Sequence, residues 1–316
     1  MNAFVALIKR EYLEHSGAFL YSPLVVLALI VLFGLSMYFG SGSISMEMSD
    51  GNHSSSYEAQ ADGDDGIGHL VTALVLDAAG TTDEELSARM RSLMNLIAMP
   101  FYVVLFVISL FALIACLHDE RKDRSVLFWK SMPVGDVESV TSKYVFIAWV
   151  APLITIAAIF VAQLFTTLLL VGMVEDGMGS RVLMHSGVLI SIVQILLGYI
   201  VNGLVVLPIF AWFMLVSGWA KSMPMVWALA VPFWLVVFES VIFDTEALRS
   251  FIGFHTRMPS LPGFSSEGEE PFIHVSVTSF GEQFAVLTQG QFWLGLLVGA
   301  GFLAACVYMR RIKNEI

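Results

Sequence analysis

Few side chains in this sequence have a type and spacing that could do chemistry. Asp64 and Asp65 are adjacent carboxylates, a pairing that general acid–base catalysis uses when a rigid frame sets its geometry. They stand in the Gly- and Ser-rich stretch "SDGNHSSSYEAQADGDDGIG", which provides no such frame. Met46, Met48, His53 and His69 offer soft and borderline metal donors, but their spacing fits no established ligand motif, and methionine is abundant here at 16 residues. Cys116 and Cys306 sit in apolar runs far apart in sequence and read as small buried hydrophobes. There is no G-x-x-x-x-G-K-[ST], no G-x-S-x-G, no H-E-x-x-H and no Cys/His zinc spacing. The expectation is a non-catalytic chain with no cofactor or metal of its own.

Polar residues inside apolar runs are the other candidates: Gln163, His185, Gln194, Asn202 and Glu239. Glu239 falls about 16 residues into its run, on the order of 24 Å along a helix. That depth leaves two readings, a hydrated carboxylate at a membrane boundary or a group lining a substrate path. Gln194 and Asn202 are eight apart and share a helical face, as residues on such a path would. Hydrogen bonding between helices explains them equally simply.

The elements that must position these residues are membrane spans. The chain of 316 residues is 57% hydrophobic and 14% charged, against about 25% charged in a typical soluble domain. Its mean hydropathy is +0.78. The net charge of −11 does not point to nucleic acid, because the acidic residues concentrate in loops. Crossing a bilayer takes about 20 apolar residues, and qualifying runs lie at about 20–40, 95–117, 144–174, 183–217, 223–243 and 290–309. Proline within them (Pro100, Pro152, Pro208, Pro232) is expected to kink rather than end a helix. The fold class is therefore an all-α polytopic membrane protein with six transmembrane helices. Six spans put both termini on one side, and eleven of the sixteen basic residues then share that side: Lys9, Arg10, Arg121, Lys122, Arg124, Lys130, Lys143, Lys221, Arg310, Arg311 and Lys313. By the positive-inside rule this side is cytoplasmic.

Three pieces lie outside the spans. Residues 2–15 place Phe4, Leu7, Ile8 and Tyr12 on one helical face, the pattern of an interfacial amphipathic helix or of a plain extension of the first span. Loop 41–92 is acidic on the outer side, and Thr82 with Glu85 forms a capping-box pattern that starts a helix there. Loop 244–289, also outer, keeps amphipathic pieces such as Ala247–Phe254 that predict short helices.

The cytoplasmic loop 118–143 carries the densest charge in the chain, Asp119 to Arg124, followed directly by Val126, Leu127, Phe128 and Trp129. A short helix is predicted from Arg124, ending before Pro133. Its bulky side chains cannot all face one way. Either they rest on the bilayer interface, with Trp129 as an aromatic anchor, or they dock into another protein. An acidic–basic cluster, a small hydroxyl residue, a bulky apolar run and then "x-P-V/L-x-(D/R)" between the second and third of six spans resembles the permease subunits of type-2 ATP-binding-cassette (ABC) exporters. The matching residues are Glu120, Arg121, Ser125, Leu127, Pro133 and Val134, with Lys143 opening the next span. In place of the commoner G-T-L-x-x-L the chain has Arg124-Ser125-Val126-Leu127-Phe128-Trp129. The interfacial N-terminal helix, the six-span layout and the short outer helices extend the resemblance over most of the chain.

The resemblance implies a coupling helix that enters a groove on an ATP-hydrolysing subunit. The ATPase-coupling residues would be Glu120, Arg121, Arg124, Ser125, Leu127, Phe128, Trp129 and Pro133. It implies two ATPase copies that bind the ATP, a second permease copy as a homodimer or a related permease, and a bacterial cytoplasmic (inner) membrane. Glu239, Asn202 and Gln194 would then line the substrate path. Two other classes compete with a permease: a non-transporting anchor or sensor docking a cytoplasmic protein through 118–143, and an ion-coupled secondary transporter. The latter would show inverted repeats, and the halves 1–175 and 176–316 share none that is recognisable.

Overall fold

The computed structural model describes residues 3–39, 46–50, 53–57, 82–131, 134–174, 178–256, 263–265, 274–276 and 284–312. Among these residues, six helices are long and apolar enough to cross a membrane. The first, α1 (Ala3–Phe39), runs unbroken through Pro23. Residues 3–15, expected as an interfacial helix or a plain extension of the first span, form the opening turns of α1. α2 (Asp83–Lys122) begins immediately after Thr82, whose carbonyl accepts the Leu86 N–H at 3.0 Å, and continues through Pro100. The turn after α2 places Arg124 in the left-handed region, φ 57°, and leads into the six-residue α3 (Ser125–Lys130).

The third long helix, α4 (Asp136–Met173), widens into a π-turn at Phe146–Val150. Pro152 follows directly. It has no N–H to give the Ala148 carbonyl, so the regular ladder cannot be kept there. α5 (Gly179–His185) and α6 (Val188–Val205) are separated by Gly187, at φ 65°. α7 (Leu207–Trp219) continues α6 across Val206: the Val206 N–H reaches Asn202 and the Phe210 N–H reaches Val206, each at 2.9 Å. Pro208 accounts for the kink between them. The run expected as one span over 183–217 is thus three helical pieces in series. α8 (Pro224–Phe243), α9 (Ala247–Thr256) and α10 (Gly290–Ile312) follow among the described residues, with a short 3₁₀ turn at Val286–Thr288. A short helix was expected at Ala247–Phe254, and α9 occupies it. Two antiparallel β-pairs, Met46–Asp50 with His53–Tyr57 and Gly263–Ser265 with His274–Ser276, lie in the two long loops.

α7 packs along α10 and α2, and α1 lies along α4. Phe19, Leu113, Leu117, Phe146, Phe210, Met214 and Cys306 form the core of one half of the bundle. Ala98, Phe101, Ile159 and Ile195 continue it, and Leu86, Met90, Met94 and Val182 close the far end. Cys116 and Cys306 are both buried free thiols, as their setting in sequence implied.

Candidate functional site

The helix α3 stands at the end of the bundle where α2 finishes and α4 begins. Its four bulky residues divide by direction. Val126 is buried, Leu127 and Phe128 are 46% and 55% exposed, and Trp129 is half-buried. Asp119, Lys122, Asp123, Arg124 and Lys130, which flank them in sequence, are all exposed. Ser125 donates its hydroxyl to the Glu120 carbonyl at 3.4 Å, which ties α3 back to the last turn of α2.

Beneath α3 lies a cluster of buried charge. Glu11 on α1 and Lys143 on α4 have 1% and 0% of their surface exposed, and Glu120 and Arg310 are also buried. Lys143 Nζ donates to both Glu11 carboxylate oxygens, at 2.9 and 3.1 Å, and lies 3.1 Å from Glu120 Oε1. Glu120 Oε1 also accepts from Arg10 at 2.8 Å, while its Oε2 accepts from Arg310. Arg310 donates from Nε to Asp136 Oδ1 at 3.2 Å. The two buried carboxylates, Glu11 and Glu120, are offset by Lys143 and Arg310. Charges removed from water are held only when matched in this way. The cluster joins α1, α2, α4 and α10.

Arg121 is bound differently. Its Nη2 donates to the Ser217 and Ala220 carbonyls at 2.7 and 2.8 Å, so the negative end of the α7 dipole balances its charge. Ser217 reaches back into α2. Its Oγ accepts the Leu117 and His118 N–H groups at 3.0 and 2.9 Å and donates to the Ile114 carbonyl.

The residues singled out in the sequence thus separate. Glu120 and Arg121 are buried inside the bundle and touch its other helices, whereas Arg124, Leu127 and Phe128 face out. Pro133 lies outside the described residues, as do Asp64, Asp65 and His69. Glu239, near the end of α8, accepts from Thr245 at 3.0 Å and from the Leu248 N–H at 2.8 Å, so its carboxylate caps the start of α9. Gln194 and Asn202 are half-buried on α6, on a different helix from Glu239. Gln163 is fully buried and donates to the Met94 carbonyl and Ser191 Oγ, each at 3.0 Å, a bond between helices. His185, half-buried, pairs by Nδ1 with the Arg181 carbonyl at 2.9 Å at the far end of the bundle. Beside it the Arg181 guanidinium holds the Asp83 carboxyl below the usual carboxylate range.

Glu11, Arg10 and Arg310 were visible in the sequence only as charges near span ends. Their pairing spans 110 to 190 residues and leaves no local signal. Among the described residues, no group of three or more His, Cys, Asp and Glu side chains is placed to hold a metal ion. No protein-family model, curated protein or solved structure matches the chain.

Proposed function

We propose that this chain is the membrane-spanning subunit of an exporter driven by a separate ATP-hydrolysing protein, which docks on α3. The observation that carries the reading is the pair Leu127 and Phe128. Two large apolar side chains stand exposed on a short helix flanked by charge, and its Trp129 rests on Arg10, which pairs with Glu120 of the buried ion cluster. An apolar knob on a firm base suits insertion into a groove, with the flanking charges setting orientation and excluding wrong partners. The resemblance of 117–136 to the coupling segment of type-2 ABC permeases points the same way. The simplest assembly is two copies of this chain with two ATPase subunits.

The test is co-purification from membranes of the source cell. The tagged chain should bring down a protein with a phosphate-binding loop and ATPase activity, and Leu127→Ala with Phe128→Ala should lower its recovery at least about tenfold. Recovery of a partner without ATPase activity, through the same two residues, would instead assign the chain as an anchor or sensor. No dependence on Leu127 and Phe128 would remove α3 as a docking element altogether.

A further inference from the structure

Trp129 does not share the outward aim of Leu127 and Phe128. The guanidinium carbon of Arg10 lies 3.8 Å from the centre of the Trp129 ring. The N–H edges of the same guanidinium reach Glu120 at 2.8 Å, Glu14 at 3.3 Å and Glu11 at 3.7 Å. A guanidinium is planar and delocalised, so its face can stack on an indole while its edges meet carboxylates; an ammonium group cannot do both. Indole is also the aromatic side chain with the most attractive face for a cation. Two hydrogen bonds that also tie α3 to the bundle, Ser125 to the Glu120 carbonyl and Lys130 to the Arg311 carbonyl, are each 3.4 Å, beyond the usual hydrogen-bond length. A helix of six residues has little stability of its own and takes its position from what grips it.

We infer that Trp129 is a positioning residue rather than part of the docking surface. Through the face of Arg10 it fastens α3 to α1, and through Arg10 to Glu120 and the buried charge cluster. Resting on the docking reading above, this gives the four bulky residues of α3 separate tasks. Leu127 and Phe128 meet the partner, Val126 seats the helix, and Trp129 delivers the partner's movement to α1, α2, α4 and α10 together.

A nitroxide on Ser131→Cys reports the motion of α3 by electron paramagnetic resonance in detergent, with no partner required. Cys116 and Cys306 are buried and leave the label to position 131. Mono-, di- and trifluorinated tryptophan at 129 keep the ring's shape while weakening its attraction for a cation. Label mobility should rise stepwise along that series, and Arg10→Lys should match its far end. Mobility that stays constant along the series overturns the inference, because a ring that merely fills space does not register fluorination. In a second arm, Trp129→Leu should retain the co-purified ATPase within about twofold, whereas Phe128→Ala should lose it by at least about tenfold. Equal loss in both variants would make Trp129 a docking residue and sink the inference while leaving the proposed function standing. Failure of the unaltered chain to bring down any ATPase would sink the proposed function, and the fluorinated series would still decide the Arg10–Trp129 tie.

Discussion

A lysine with no exposed surface keeps its charge in place only where that charge is matched, and Lys143 is matched twice, by Glu11 and by Glu120. Lys143→Met would leave two buried carboxylates facing fewer cations than they need. Breaking a buried ion pair from one side typically costs about 3–5 kcal/mol. The single variant should therefore lower the thermal unfolding midpoint in detergent. Lys143→Met with Glu11→Leu, which restores the balance, should recover much of the loss. A double variant no better than the single would show that Lys143 matters through packing rather than charge. At this scale the sequence was informative in one direction. Charge is rare in the chain and crowded at Asp119–Arg124, and within that crowd the family resemblance named Glu120 and Arg121. Burial then gave each a different partner: other helices' side chains for Glu120, and the end of α7 for Arg121. A charge crowd in sequence tells that water or counter-charge must be near, and the fold decides which.

Among the elements, α9 is held by one buried side chain. His255 is 1% exposed, donates or accepts through Nδ1 at the Phe251 carbonyl at 2.8 Å, and lies against Gly295 of α10, where any Cβ would overlap its ring. Burial keeps its pKa below the ordinary value of 6.5. The charged groups near it are Glu246 just before α9, Arg249 on α9, and Glu239 on α8, the last engaged at the start of α9. Because the folded pKa is depressed, the neutral ring's contribution is complete above about pH 6.5 and is lost as pH falls through the lower folded value. A nitroxide at Thr256→Cys should become more mobile on acidification in the native background. In His255→Leu that response should vanish, and in Gly295→Ala the label should be mobile at every pH. An unaltered acid response in His255→Leu would show that His255 is not the group responsible. The short helix itself was legible from the amphipathic piece Ala247–Phe254. Its seat was not, because a lone glycine in an apolar run carries no hint of what presses against it. The same holds for the π-turn of α4, which Pro152 explains once the helix is seen but which a proline-containing span does not require.

Over the whole molecule, the charge cluster also fixes how the helices run. Arg10 at the start of α1, Glu120 at the end of α2, Lys143 near the start of α4 and Arg310 at the end of α10 meet at one end. Arg121 brings the end of α7 to the same place, while Asp83 and Arg181 bring the starts of α2 and α5 together at the other. The series α5–α7 therefore runs from one end of the bundle to the other, a course set by contacts that the apolar runs do not contain. Geometry places Arg10, Arg121, Lys143 and Arg310 at a common end; that this end is cytoplasmic is the expectation of the positive-inside rule. Cysteine labelling in intact cells separates the two statements. The native thiols are buried and give little background, so Ser131→Cys and Glu246→Cys, one at each end and both exposed, serve as reporters. A membrane-impermeant maleimide should modify Glu246→Cys directly and Ser131→Cys only after permeabilisation. The reverse pattern would put α3 on the side without ATP, and an ATP-hydrolysing partner could not then reach Leu127 and Phe128.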